Sequence, residues 1–157
     1  MPGLYFGTLA LLMSTAFFAV RSRAQALANV AAAPGTRDVR YSLHSLPIYH
    51  GLLAATLVLL PMLIVFAVGT PIVTRMAEAQ GLARLPAEVV NSDLSRGAAL
   101  RDLYNILTGK FQGEASAELK SAADAMRSAA AYGNGLIFGI GVALAVAALY
   151  FSFGHVR

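Results

Sequence analysis

Cysteine and tryptophan are both missing from the 157 residues, and acids are scarce, with 8 Asp and Glu against 12 Lys and Arg. Without cysteine there is no disulfide framework, no thiolate metal site and no cysteine nucleophile, and the redox compartment leaves no trace. Charged residues make up 13% of the chain, about half of the roughly 25% usual in soluble domains, while 57% of residues are hydrophobic. That balance points to lipid as the solvent. No lysine-bearing phosphate loop occurs and no G-x-G-x-x-G follows a strand, so nucleotide binding by this chain has no support. Neither an alternating strand pattern of useful length nor an internal repeat is present, which leaves an all-α architecture.

What is present is three runs without a single charge: LYFGTLALLMSTAFFAV at residues 4–20, GLLAATLVLLPMLIVFAVGTPIV at 51–73 and LIFGIGVALAVAALYFSF at 136–153. A helix needs about 20 residues to cross the hydrocarbon core, so the three runs predict three transmembrane helices in a single membrane module. The first carries its positive charge after the apolar stretch, at Arg21 and Arg23, opposite to the order in a cleaved leader. A retained anchor is therefore expected. Pro61 interrupts the hydrogen bonding of the second run and predicts a packing kink, and Gly69, Thr70 and Pro71 are expected to loosen its outer end. The third run ends in Tyr150, Phe151 and Phe153, a boundary signal for the interface. Its Gly135, Gly139 and Ala143 form a small-residue stripe of spacing four that lets another helix approach closely.

The net charge of +4 does not form a basic stripe with interleaved aromatics, as nucleic-acid binding requires; it reads as a topology signal. Residues 21–50 carry Arg21, Arg23, Arg37 and Arg40 against Asp38 alone, so the positive-inside rule puts this loop in the cytoplasm. Residues 74–134 balance Arg75, Arg84, Arg96, Arg101, Lys110, Lys120 and Arg127 against Glu78, Glu88, Asp93, Asp102, Glu114, Glu118 and Asp124, as suits an extracytoplasmic, periplasmic loop. The expected order is N-terminus outside and C-terminus cytoplasmic, in a bacterial inner membrane. The outer loop is itself expected to be helical. Residues 95–107 place Ala98, Leu103 and Ile106 at helical spacing, and 113–131 are rich in alanine around Glu118, Ala122 and Ala125.

His44 and His50 are six residues apart and fall on different faces of any helix, so they match no metal-ligand spacing. Ser42 and Ser45 lie near His44, but the third member of a triad would have to be Asp38 in the same short loop, without an elbow glycine pattern. No acid or base lies inside any run, which argues against a proton relay. No enzyme activity, no cofactor and no metal are expected.

The stretch R-Y-S-L-H-S-L-P-I-Y-H-G at residues 40–51 gathers two tyrosines, two histidines and a proline where the cytoplasmic loop meets the second span. It predicts an interfacial turn: either an ordinary entry anchor or a subunit-docking motif made of Leu43, His44, Ser45, Leu46, Pro47, Tyr49, His50 and Gly51. This L-H-S-L-P-x-Y-H-G pattern resembles the N-terminal region of the permease subunit of the phosphate ABC importer in proteobacteria, usually called PstC. The order of spans and loops is similar over nearly the whole chain. The resemblance implies participation in phosphate transport, packing against the permease core and its sister permease, with an ATP-binding subunit and a periplasmic phosphate-binding protein as further partners. The chain would be the N-terminal membrane module, separately encoded or truncated. The coupling-helix signature of such permeases has no counterpart, because Glu78, Ala79, Gln80 and Gly81 have the wrong spacing, so no transport-pathway residue carries over. The alternatives are a small membrane sensor, which would need a separate output partner, and a structural subunit of an unrelated membrane complex.

Overall fold

The computed structural model describes residues 2–31 and 46–155, and these form five helices: α1 (Pro2–Ala31), α2 (Pro47–Leu82), α3 (Ala87–Val90), α4 (Asp93–Leu107) and α5 (Ala117–His155). No strand occurs among the described residues. Three helices, α1, α2 and α5, are long and apolar enough to cross a membrane. With 30, 36 and 39 residues and a rise of about 1.5 Å per residue, each is longer than the roughly 30 Å of hydrocarbon it has to cross. Only 22% of the most apolar window of each is buried within the protein, so the greater part of the apolar surface faces outward. A soluble protein does not expose apolar area on that scale, and helices that cross a membrane do.

Two compact units share the chain, Met1–Phe66 with Phe138–Arg157, and Ala67–Ile137. The first unit is a helical bundle whose interior is mostly alanine, valine and methionine: Ala16, Val20 and Ala24 on α1, Ala54, Val58 and Met62 on α2, and Ala145 on α5 are all buried, together with Tyr5 and Leu9. The i, i+4 spacing within each set puts its members on one face. Bulky residues such as Leu11, Phe18, Leu53 and Ile64 point outward instead. That inversion follows from the solvent, because lipid tails are as apolar as leucine and helices associate by close backbone approach. Hydroxyls within the long helices bond back one turn: Thr8 to the Leu4 carbonyl, Thr15 to Leu11, Thr56 to Leu52 and Ser152 to Ala148, at 2.7–2.9 Å. No buried side-chain polar atom lacks a partner among the described residues, as a medium without water demands.

The second unit holds residues 67–82 of α2, α3, α4 and residues 117–137 of α5. Its core is Ala77, Leu103, Ala122, Ala123 and Met126, flanked by Leu85, Leu100, Ile106, Leu107 and Leu119. Ser92 caps α4 by accepting from the Ser95 amide at 3.2 Å, and Ser116 serves the Leu119 amide of α5 in the same way. The α4 C-terminus turns at Gly109, whose φ of +69° suits a residue without Cβ, and the Lys110 amide donates to the Asn105 carbonyl at 2.7 Å.

Several expectations from the sequence are corrected. The second span does not loosen at Gly69–Pro71, because α2 runs on to Leu82. Gly69 is seated against Ile137, where an added Cβ would lie 2.7 Å from Cγ1, and the following residues Met76, Ala77, Glu78, Ala79 and Gln80 are strong helix formers. The outer helix expected at 113–131 and the third span are one helix, α5. No proline separates them, and Gly133, which weakens a free helix, is fixed by packing on Val73, 2.6 Å from a Cβ built there. Pro47 opens α2 at its first position, where its missing N–H goes unnoticed. On α4 the inward face carries Ala99 and Leu103, while Ala98 is exposed.

Candidate docking surface

The interfacial motif divides in the structure. Leu43, His44 and Ser45 lie outside the described residues, while Leu46 and Tyr49 are exposed by 64% and 59%, so no described residue covers their apolar surfaces. The Leu46 carbonyl accepts from the Tyr49 amide at 2.9 Å, which closes the first turn of α2. His50 is half-buried and already engaged. Gly51 is buried at the crossing of α1 and α2, and a Cβ there would lie 2.9 Å from the Phe17 carbonyl oxygen and 3.1 Å from Arg21 Cβ. Within one motif, Gly51 therefore packs the bundle and Leu46 and Tyr49 face outward.

Arginines border the same end of the first unit. The Arg23 guanidinium carbon stands 4.4 Å from the centroid of the Phe153 ring, and that of Arg21 lies 5.8 Å from the Phe17 ring. Contacts of this kind contribute about 0.5–1 kcal/mol at exposed sites, and the one between Arg23 and Phe153 ties the α1 segment leaving the apolar run to the end of α5. Deeper in this unit the Tyr5 hydroxyl donates to the Met62 carbonyl at 2.7 Å, and its ring centroid lies 5.0 Å from that of Phe66 and 6.3 Å from that of Phe138. Gly141 provides the room, since a Cβ there would meet the Tyr5 hydroxyl at 2.6 Å. Sequence reasoning missed Tyr5, Gly133 and Gly141. The available signal was a tyrosine inside an uncharged span, whose hydroxyl must find an acceptor in the bilayer.

Among the described residues, the stripe Gly135, Gly139 and Ala143 makes no close approach to another helix. Neither glycine has an atom within 4 Å of an added Cβ, and Ala143 is exposed. Leu136, Ile140 and Leu144 beside it are exposed too.

In the second unit the Tyr104 hydroxyl donates to Glu78 Oε1 at 2.9 Å and joins α4 to α2. Burial pushes the Tyr104 phenol above its ordinary pKa, and its hydrogen bond to Glu78 and that carboxylate's negative charge act in the same direction. A shallow groove of about 460 Å³ runs along Ala79, Leu82, Leu85, Val90, Asn91 and Arg96. Among the described residues no three His, Cys, Asp or Glu side chains gather closely enough to hold a metal ion.

This arrangement of three membrane helices, with a charge-balanced helical segment between the second and third, is matched from residue 7 to residue 152 by a family model described as phosphate ATP-binding cassette transporter. The chain belongs to that family. No curated protein and no solved structure matches it. Membership agrees with the resemblance read from the residues around Pro47, and it associates a multi-helix membrane protein with phosphate transport by an ABC system.

Proposed function

We propose that the chain is the N-terminal membrane module of a phosphate ABC importer permease of the PstC type, and that it packs against the permease core in a bacterial inner membrane. The family match spanning all three membrane helices carries this reading. The role is assembly rather than chemistry: the chain contributes surfaces, and the sister permease, the ATP-binding subunit and the periplasmic phosphate-binding protein complete the importer. Two outward surfaces fit that role, the stripe Gly135, Gly139 and Ala143, which lets a helix of the core come close, and the exposed Leu46 and Tyr49 at the entry to α2. The chain sits with residues 21–50 in the cytoplasm and residues 74–134 in the periplasm.

Phosphate uptake in cells lacking this chain tests the proposal, with complementation by the intact sequence, by a version carrying His44→Ala, Pro47→Ala and Tyr49→Ala, and by a Gly135→Leu, Gly139→Leu version. Membrane levels are matched by blot. The intact chain restores uptake, and both variants fall severalfold short and recover less permease core in pull-down. Uptake indifferent to the chain would remove the importer role and leave the family relationship without this function.

A further inference from the structure

The two units differ in charge as sharply as the sequence allows. Residues 67–137 balance seven bases with seven acids, whereas residues 1–66 and 138–157 hold Arg21, Arg23, Arg37, Arg40 and Arg157 against Asp38 alone. The whole excess of +4 belongs to the first unit. Asp38 lies outside the described residues, so no carboxylate accompanies Arg21 or Arg23 among the described residues of that unit. Both guanidiniums instead rest near aromatic rings, at 5.8 Å from Phe17 and 4.4 Å from Phe153.

A guanidinium near a ring keeps its full charge, and its N–H donors form a planar fork suited to two parallel hydrogen bonds. The depth of these two groups is set by their neighbours. Arg21 and Arg23 follow directly on the uncharged run at 4–20, and Gly51, where the next uncharged run begins, sits against Arg21 Cβ. Tyr49 and Tyr150, exposed by 59% and 78%, mark the same end of the bundle with the residue that favours the headgroup layer. The abundant anion at that depth is the lipid phosphodiester, whose oxygens match the guanidinium fork. A zwitterionic headgroup brings its own ammonium to compete for the phosphate; an anionic one does not.

We propose that the Arg21 and Arg23 end of the first unit is a docking surface for the headgroups of anionic phospholipids. It holds whichever subunit the chain joins. The full chain, reconstituted in bilayers mixed from phosphatidylglycerol and phosphatidylcholine and released into detergent, is assayed for co-purifying lipid by native mass spectrometry. Retained lipid is enriched severalfold in phosphatidylglycerol over the bulk mixture. Arg21→Gln with Arg23→Gln returns the ratio to the bulk value, while Arg75→Gln with Arg84→Gln, the same charge change in the second unit, leaves it enriched. Equal loss in both pairs reduces the effect to net charge and overturns the proposal, as does enrichment that survives the first pair. Displacement of the lipid by millimolar inorganic phosphate would assign the surface to the free ion and equally overturn it. Should the glutamine pair fail to fold, Arg21→Gln and Arg23→Gln singly decide: reduced enrichment in either supports the surface, and full enrichment in both overturns it.

Discussion

Gly51 and Gly135 are both helical glycines of membrane-crossing helices, yet a methyl group has opposite consequences at the two. At Gly51 it would lie 2.9 Å from a backbone oxygen of Phe17, an atom that cannot rotate away, so α1 and α2 must separate. Gly51→Ala is expected to destabilise the chain by about 1–3 kcal/mol, the usual range for overpacking. At Gly135 no atom of the described residues lies within 4 Å of an added Cβ, and replacing a mid-helix glycine by alanine gains about 0.5–1 kcal/mol in helix propensity. Gly135→Ala in the isolated chain should be neutral or mildly stabilising. Reversible unfolding in micelles, followed by helicity, measures both; a Gly51→Ala protein as stable as wild type would contradict the close crossing. The residues also show where the sequence ran out. Gly135, Gly139 and Ala143 have the same spacing as Gly133, Ile137, Gly141 and Ala145, displaced by two positions, which is more than half a turn of helix. Spacing identifies both stripes, but only the neighbours supplied by the fold, Val73 for Gly133 and Tyr5 for Gly141, say which one is occupied within the chain.

The three membrane helices were legible because uncharged runs of sufficient length leave a bilayer helix no alternative. Their true ends were not, since hydropathy reports where lipid stops and not where a helix stops. Arg75 and Glu78 end the apolar run of α2, but the helix continues because Ala77 is drawn into the core of the second unit with Leu103 and Met126. The Tyr104–Glu78 hydrogen bond reinforces this extension, and its pH dependence has a definite sign. Burial, then Glu78, holds the phenol above its ordinary pKa, so the neutral form is the one the fold favours. The associated stability is complete below the unfolded value of about 10 and is lost as pH rises through the higher folded value. Thermal melts of the full chain in detergent from neutral to strongly alkaline pH should show wild type above Tyr104→Phe below that point and the difference shrinking beyond it. A difference constant through the alkaline range would mean that α4 is held to α2 without this bond.

At the scale of the molecule, charge and hydropathy together predict an orientation. One loop carries four arginines against one acid, and the other carries seven bases against seven acids, and short loops with an excess of Lys and Arg stay in the cytoplasm. Absence of cysteine, which excluded so much chemistry, makes this directly measurable, because any thiol introduced is the sole thiol in the chain. Ser22→Cys places it beside Arg21 on an exposed position of α1, and Ala98→Cys places it on the exposed face of α4. A membrane-impermeant maleimide added to intact spheroplasts should label Ala98→Cys at once and Ser22→Cys only after permeabilisation. The reverse pattern would put the arginine-bearing end outside and the charge-balanced helical unit in the cytoplasm, where a periplasmic binding protein cannot reach it. Orientation thus tests the importer reading independently of uptake, since a module that faces the wrong way cannot present residues 74–134 to the compartment from which phosphate arrives.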